Sequence, residues 1–403
     1  MNSQEQPALS TSGYVRIKRS TVFILAIACG LSIANVYYNQ PLLADIGRSL
    51  NISVQEVGFI PTLTQVGYAF GLLLLVPLGD KLERRKLIVC MLGLLILALI
   101  GAATSANLFW LSISSFILGF CSIVAHIIIP LVAQMTDPKE RGQVIGTLVS
   151  GLILSVLLAR TFSGGIGQYF GWRAVYLIAA GLMVVVAFVL VRQIPASRPS
   201  STMSYLQLMQ SLVHLVRQQP VLREASFNIA LIFGSFNAFW ATLVFMLESP
   251  PYHYNSQVAG LFGLVGISGA IITPTIGRLA DKWGSRILVG VATSLALSAF
   301  VILWIAGTHL MGLIIGVLIL DIAMNTGYIA NQIRVYNLIP NAESRLNTVY
   351  MVTNYSGGAL GSFLGTYSWA RWQWNGVCSL GFILLSIAAI AHLITRSKKT
   401  TVA

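Results

Sequence analysis

The chain has 403 residues, of which 56% are hydrophobic and only 9% are charged, and its mean hydropathy is +0.79. A soluble protein carries about 25% charged residues, so this composition excludes a soluble globular protein and indicates a polytopic membrane protein. The formal net charge is +13, but the basic residues stand singly or in small groups between apolar runs, which argues against nucleic-acid binding. The four cysteines lie inside apolar runs at unrelated spacings, so we expect free thiols.

Twelve apolar runs are long enough to cross a bilayer, which takes about 20 helical residues. Arg16, Lys18 and Arg19 precede the first run, which is too long for a cleaved signal peptide and is predicted to remain as an anchor. The middle connection, 195–224, contains prolines, a serine-rich patch and a predicted surface helix over Leu206–Arg217, as is typical of a linker. The predicted spans lie at about 20–42, 54–78, 87–105, 108–135, 143–169, 173–194, 225–248, 257–280, 286–307, 310–337, 346–369 and 373–395.

The basic residues predict the orientation of these spans. With the N-terminus in the cytoplasm, 21 of the 25 lysines and arginines fall in cytoplasmic segments. Arg48, Arg173 and Arg371 fall on the outer side, and Arg160 lies inside a span. This asymmetry follows the positive-inside rule and requires an even number of spans. We therefore predict a multi-pass protein of the bacterial inner membrane with both termini in the cytoplasm.

Two charged turns recur about two hundred residues apart, as expected for parallel repeats. Gly277–Arg286 reads GRLADKWGSR, and a diverged copy at Val76–Arg85 reads VPLGDKLERR. Gly277 is predicted to let two apolar segments approach closely, and Gly284 is predicted to permit a tight turn. The pattern G-x-L-a-D-r-x-G-r-r, between the second and third spans of a six-span unit, resembles the signature loop of the major facilitator superfamily. A second pair of matching loops follows the fourth and tenth spans, so the resemblance covers essentially the whole chain.

The resemblance implies an all-α fold of twelve transmembrane helices in two six-helix parallel repeats. The predicted units are an N-terminal half over 1–194, a cytoplasmic linker over 195–224, and a C-terminal half over 225–403. In this family the signature loops hold the two halves together in the outward-facing state, and we call these residues the latch. The alternative is that both are ordinary positive-inside loops with an acid at a helix end. The predicted latch residues are Asp80, Arg84, Arg85, Gly277, Asp281 and Arg286.

Three ionisable residues are predicted at membrane depth, where a charge costs at least about 2.5 kcal/mol unless it faces a cavity or a partner. Asp321 is the only acid near the centre of any span, and burial disfavours its charged form. We predict that Asp321 carries a proton, that Arg160 pairs with it in one state, and that His126 is the next candidate. The alternatives are a structural carboxylate, a helix-packing arginine and a packing histidine.

The fifth span bears on the class of substrate. Drug/proton antiporters of this superfamily carry a Gly-Pro-x-x-Gly-Gly bend there, whereas this chain has Arg160-Thr161-Phe162-Ser163-Gly164-Gly165. The two glycines remain and the Gly-Pro pair is replaced, with a cation in its place. This replacement argues against a pocket for cationic drugs and favours neutral or anionic solutes.

Polar residues on the tenth span recur at spacings of four, three and four, hence on one helix face. A polar face on an apolar helix indicates a protein-lined cavity. The string is similar to that of bacterial efflux-type members of the superfamily, such as the arabinose-efflux-like group. Tyr37 and Tyr38 are expected in the aromatic belt at the membrane interface. The predicted substrate-cavity residues are Asn35, Gln65, Tyr68, Asn237, Trp240, Asn325, Tyr328, Gln332 and Asn354.

No motif indicates catalysis or nucleotide binding. The five histidines lack metal-ligand spacing, and the sequence has no phosphate-binding loop. We therefore expect no enzyme activity, no metal, no cofactor and no ATP. The predicted function is secondary active transport by alternating access: proton-coupled efflux of a small solute by a monomer. A permease subunit of a larger complex, a lipid-modifying enzyme, and uptake or uniport of a neutral or anionic solute remain as alternatives.

Overall fold

The computed structural model describes five stretches of chain: 19–79, 81–137, 140–194, 204–339 and 342–400. Within these stretches the chain is helical and contains no strand. A short 3₁₀ turn at Gln40–Leu42 follows the first helix. The helices are α1 (Arg19–Ala34), α2 (Leu43–Leu50), α3 (Val54–Val57), α4 (Phe59–Leu78), α5 (Arg84–Ala103), α6 (Leu108–Cys121), α7 (Val124–Met135), α8 (Arg141–Phe170), α9 (Trp172–Gln193), α10 (Tyr205–Gln218), α11 (Pro220–Glu248), α12 (Ser256–Val265), α13 (Ile267–Trp283), α14 (Ser285–Ala306), α15 (Leu310–Tyr336) and α16 (Glu343–Thr400).

The predicted spans coincide with single helices or with pairs of consecutive helices, except that the first continues past α1 to the 3₁₀ turn and the last two share α16. Among the described residues, nine helical runs are long and apolar enough to cross a membrane. The second and eighth spans are interrupted at Gly58 and Gly266, where one helix ends and the next begins. The predicted eleventh and twelfth spans both lie in α16, which is broken at Gln373 with φ 53° and ψ −144°. The chain is therefore an all-α polytopic membrane protein.

The loops define two ends of the helical bundle. One end, which we call the basic end, is the predicted cytoplasmic side; the opposite end carries Arg48, Arg173 and Arg371. The linker helix α10 buries its apolar face, and the hydroxyl of Tyr205 donates to the carbonyl of Leu74, 3.1 Å away. The predicted surface helix is thus confirmed, while 195–203 lies outside the described residues. Basic side chains on described residues at the basic end include Lys81, Arg141, Arg278, Lys282 and Arg345.

Small residues let two helices touch near the opposite end. A Cβ added to Gly164, on α8, would lie 2.9 Å from the Cα of Gly260, on α12. A Cβ added to Gly263, one turn further along, would lie 2.8 Å from the carbonyl oxygen of Leu157. Close backbone approach through small residues is a common way to hold membrane helices together. The contact between α8 and α12 therefore closes the bundle on this side.

Candidate functional site

A cavity of about 660 Å³ lies in the middle of the bundle. Helices α1, α4, α7 and α8 form one side, and α11, α15 and α16 form the other. Its wall extends to Tyr336, Glu343 and Ser344 at the basic end, where the last two residues are exposed. Since the opposite end is packed shut, the cavity opens at the basic end.

The two walls of the cavity differ in polarity. Along α7 and α8 the wall is almost wholly apolar, and we call this set the apolar wall: Ile129, Pro130, Ile145, Val149, Leu152, Ile153, Val156 and Leu157. Along α15 and α16 the wall carries hydrogen-bonding side chains: Asn325, Tyr328, Gln332, Asn347, Thr348 and Asn354. A ligand in this cavity therefore meets hydrocarbon on one face and polar groups on the other.

Asp321 lies in the wall and is 3% exposed. Its carboxylate makes no hydrogen bond or ion pair with any residue that the structure describes; Asn325 donates instead to the backbone carbonyl of Asp321, 2.9 Å away. The carboxylate lies against the break between α12 and α13, at Gly266. A side chain at this position would crowd it, because a Cβ added to Gly266 would lie only 3.1 Å from Oδ1 of Asp321. A buried carboxylate without a partner is costly, and inside a membrane it indicates a functional site.

Arg160, on α8, is 1% exposed. Its Nε donates to Oε1 of Gln40 at 2.7 Å, and its guanidinium carbon lies 4.0 Å from the centroid of the Trp240 ring. The rings of Tyr37 and Phe236 are 5.1 and 5.8 Å away. Such cation–π contacts are strongest when the cation is desolvated. The rings hold the guanidinium in place, and its terminal nitrogens make no hydrogen bond with the described residues.

Arg160 and Asp321 come together on the cavity wall from opposite sides of the bundle. They attract each other through space but form no direct ion pair. The predicted alternation between a paired and an unpaired state therefore stays a prediction, since only the unpaired arrangement is present.

His126 also lines the cavity, and its Nε2 lies 3.0 Å from the hydroxyl of Tyr68. The Tyr68 ring in turn packs on Tyr355, with centroids 4.2 Å apart. Tyr37, expected in the interfacial belt, instead lines the cavity, and both Tyr37 and Tyr38 are buried. The belt prediction for these two tyrosines is wrong, because the chain turns inward after α1 and carries them into the bundle.

The other predicted cavity residues lie beyond the cavity, in the closed end of the bundle. Gln65, on α4, donates to Oδ1 of Asn237, on α11, at 2.5 Å, and Gln40 approaches the same oxygen at 3.5 Å. Trp240 lies behind Arg160, while Asn35 donates to backbone carbonyls of its own helix. Gln65, Gln40 and Asn237 thus join α4 and the 3₁₀ turn to α11 in a polar layer at the closed end of the cavity.

An ion pair at the opposite end joins the same two sides of the bundle. Arg48, on α2, donates through both terminal nitrogens to the carboxylate of Glu248, at the end of α11, and through Nη2 to Asp45 at 2.5 Å. The hydrogen bond with Glu248 raises the pKa of Arg48 above its ordinary value. The sequence analysis did not identify this pair; opposite charges at the outer ends of the first and seventh spans were the available signal.

The latch residues on the first signature loop are only partly described, because Asp80 lies outside the described residues. Nε of Arg84 donates to the carbonyl of Gly79 at 3.2 Å, and Nη2 of Arg85 donates to the carbonyl of Val191 at 2.6 Å. Both arginines therefore bond to backbone carbonyls on their own side of the bundle.

The second signature loop is open in this structure. Asp281 is exposed and bonds to no residue in the described part of the chain. Gly284 has φ 87°, which confirms the predicted tight turn. The predicted close approach at Gly277 is wrong for the described part of the chain, where a Cβ on this residue would meet no atom within 4 Å. Nη2 of Arg286 donates to the carbonyl of His392, 3.2 Å away.

A buried charged cluster lies beside this loop and was also missed. Nη2 of Arg334, on α15, donates to Oε2 of Glu224, on α11, at 2.6 Å. Nδ1 of His392, on α16, lies 3.5 Å from the other oxygen of Glu224. All three side chains are nearly buried. The cluster ties α11, α15 and α16 together at the basic end.

Comparison with known proteins agrees with the fold. The family model described as Major Facilitator Superfamily matches residues 25–366. "Putative uncharacterized transporter YgaY" of Escherichia coli K12 is 38% identical, over 89% of this chain and 91% of its own. A "Probable sugar efflux transporter" of Helicobacter pylori G27 is 22% identical, over 97% and 100%. A solved bacterial homolog of the human lysosomal transporter Spinster has a TM-score of 0.72 at 15% identity, over 93% and 96%.

The fold and its central cavity thus define a polytopic membrane transporter. The chain belongs to the Major Facilitator Superfamily.

Proposed function

We propose that this transporter exports a small solute across the bacterial inner membrane in exchange for protons, and that it does so as a monomer. The observation that carries the proposal is the carboxylate of Asp321, which is buried in the cavity wall and bonds to none of the residues that the structure describes. The relatives from Helicobacter are named sugar efflux transporters, which supports the direction of transport.

Alternating access accounts for the closed end and the open end of the cavity. The basic end is assigned to the cytoplasm by the positive-inside rule. The solute then enters from the cytoplasm in the state seen here. Release on the other side requires the contact between α8 and α12 and the ion pair of Arg48 with Glu248 to open. The latch residue Asp281, which bonds to no described residue, is available to hold the alternative state.

Asp321 suits the role of proton carrier because of its surroundings. Burial penalises the charged carboxylate, while the nearby cation on Arg160 favours it, so the equilibrium between the protonated and the charged form depends on both influences. A ligand that contacts the carboxylate changes the protonated fraction of Asp321 only if it binds the charged and the protonated form with different affinities. A solute that binds the charged form displaces the proton, and this competition produces exchange.

The test uses proteoliposomes that contain a trapped pH-sensitive dye. Sugars, amino acids and nucleosides are first screened by thermal shift, and each solute that stabilises the protein is applied across the liposome membrane. We expect solute-dependent proton movement opposite in direction to the solute. Asp321→Asn should abolish it, while Glu140→Gln, at an exposed acid of the basic end, should leave it unchanged. Normal solute/proton exchange in Asp321→Asn would overturn the proposal.

A further inference from the structure

A guanidinium and a carboxylate that are not paired with each other share the wall of the cavity. Neither the terminal nitrogens of Arg160 nor the carboxylate oxygens of Asp321 bond to any described residue, and both side chains are almost fully buried. We infer that the transported solute is a small zwitterion of the amino-acid type with an apolar side group. Its carboxylate binds Arg160, its ammonium binds Asp321, and its side group lies on the apolar wall. The inference rests on the proposed function, because it names the substrate of that same cavity.

The guanidinium is arranged to bind an anion from the cavity. Arginine has five N–H donors in a fixed fork that matches a carboxylate. Among the described residues only Gln40 accepts a hydrogen bond from this group, through Nε, and the Trp240 ring lies against the guanidinium on one side. On that side Arg160 also borders a void of about 10 Å³, which is too small for a solute. The large cavity is therefore where an anionic group can reach the remaining donors.

The carboxylate complements the guanidinium. An ionised carboxylate only accepts hydrogen bonds, and an ammonium group offers three donors. Because Arg160 and Asp321 form no direct ion pair, each needs a separate partner of opposite charge. A ligand with a single charge would satisfy one of them and leave the other buried without a partner, which is the costly arrangement. A zwitterion satisfies both and adds no net charge to the cavity.

The apolar wall, which lies opposite α15, determines which side group the solute can carry. The apolar wall offers side chains without hydrogen-bonding groups, from Ile129 on α7 to Leu157 on α8. A sugar carries hydroxyl groups on all sides, and those that faced this wall would lose their hydrogen bonds to water without replacement. An aliphatic or aromatic side group instead gains from leaving water. The wall thus favours an amphipathic zwitterion over a sugar.

A zwitterion also explains how transport and protons are coupled. The ammonium group of the solute and a proton would both neutralise the charge on Asp321, so they cannot do so together. Binding of the solute from the cytoplasm would release the proton, and binding of a proton from the other side would release the solute. This competition is the exchange that export against a proton gradient requires.

The experiment measures binding of four probes to the purified protein in detergent. L-phenylalanine carries both charges, L-phenylalaninamide lacks the carboxylate, N-acetyl-L-phenylalanine lacks the ammonium, and sucrose lacks both charges and the apolar group. We expect L-phenylalanine to bind more tightly than the other three by about tenfold or more, as for loss of one charged hydrogen-bonding partner.

Two variants test which charge meets which residue. Arg160→Gln should weaken the zwitterion and the N-acetyl anion but not the amide. Asp321→Asn should weaken the zwitterion and the amide but not the anion. Arg160→Lys keeps the charge but loses the planar fork that matches a carboxylate. It should therefore bind the zwitterion and the N-acetyl anion more weakly than the parent and the amide as the parent does, and it replaces Arg160→Gln if that variant does not fold. Glu140→Gln serves as the control and should bind all four probes as the parent does.

Two results would overturn the inference: L-phenylalanine binding no tighter than its two singly charged derivatives, or sucrose binding more tightly than L-phenylalanine. Proton movement driven by sucrose, without binding of the zwitterion, would reject the inference and keep the proposed exchange. Binding of the zwitterion in the predicted variant pattern, without any coupled proton movement, would support the inference and reject the exchange.

Discussion

The guanidinium carbon of Arg160, on α8, lies 4.0 Å from the centre of the Trp240 ring, on α11. The contact crosses the bundle between the cavity and the closed end, and both side chains are buried. In alternating access the two sides of the bundle must separate at this level. The strength of the contact therefore contributes to the stability of the closed end.

Trp240→Ala is expected to weaken the closed end by about 2 kcal/mol, the value of a desolvated cation–π contact. In a background without native cysteines, the buried Ala259→Cys would report on opening, through its reaction with a membrane-impermeant maleimide added outside cells. Trp240→Ala should accelerate the reaction. Trp110→Ala, at an exposed tryptophan on α6, is the control. Equal rates in Trp240→Ala and the parent would contradict the prediction.

Glu248→Gln should also favour opening at the opposite end, but by less. The Arg48 side chain is 60% exposed and that of Glu248 is 19% exposed, and exposed ion pairs contribute about 0.2–1 kcal/mol. The same maleimide assay should show a modest acceleration that disappears at high salt, because salt screens the pair. Asp45→Asn is the matched control, since Asp45 pairs with Arg48 inside α2. An equal effect of both variants would show that the contact across the bundle has no special role.

Asp281→Asn tests the latch. Asp281 bonds to no described residue in the present state, so its loss should leave this state intact and destabilise only the alternative. We expect normal membrane insertion, loss of transport, and faster labelling of a cysteine placed at Asn347 in the cavity wall from the cytoplasmic side. Lys282→Gln, at the exposed neighbouring residue, is the control. Unchanged labelling at both ends of the bundle would count against the latch.

The helices were predictable from the sequence because lipid requires continuous apolar runs. The helix breaks at Gly58 and Gly266 could not be predicted, because a hydropathy pattern does not distinguish a glycine that ends a helix from a glycine that packs inside one. The start of α11 at Pro220 precedes the predicted span by five residues, since polar residues at the membrane surface continue the helix.

The part of the candidate site that lies on one face of α15 could be predicted from the sequence. Asp321, Asn325, Tyr328 and Gln332 all line the cavity, as their spacing predicts. Contacts between distant segments could not be predicted, because the spacing of residues on one helix does not show which helices pack against it. The pair of Arg48 with Glu248 spans 200 positions, and Gln40 meets Arg160 over 120. Gln65 likewise meets Asn237 across 172 positions.

The topology prediction has a direct test. Because 21 of the 25 basic residues are assigned to one side, the C-terminus should lie in the cytoplasm. A reporter that is active only in the periplasm, fused after Ala403, should be silent, and the same reporter inserted after His253, in the turn at the opposite end, should be active. A strong signal from the C-terminal fusion would exclude twelve spans with this orientation.

The cluster around Glu224 predicts an effect on stability separate from transport. Glu224 accepts a hydrogen bond from Arg334 at 2.6 Å in a nearly buried environment, with His392 at its other oxygen. Glu224→Gln would leave the buried Arg334 without its counter-charge, at a cost of about 2 kcal/mol. The measurement is the temperature at which half of the detergent-solubilised protein is lost from the monodisperse peak, and we expect a clear decrease.

Two further variants distinguish loss of the buried pair from a general effect of removing an acid. Glu83→Gln removes an ion pair with Lys86, whose side chain is 84% exposed, and should change the midpoint little. Glu224→Gln combined with Arg334→Gln should recover part of the loss, because the double variant leaves no buried arginine unpaired. If the double variant is no more stable than Glu224→Gln alone, then the unpaired Arg334 does not account for the loss and the cluster does not act as a pair.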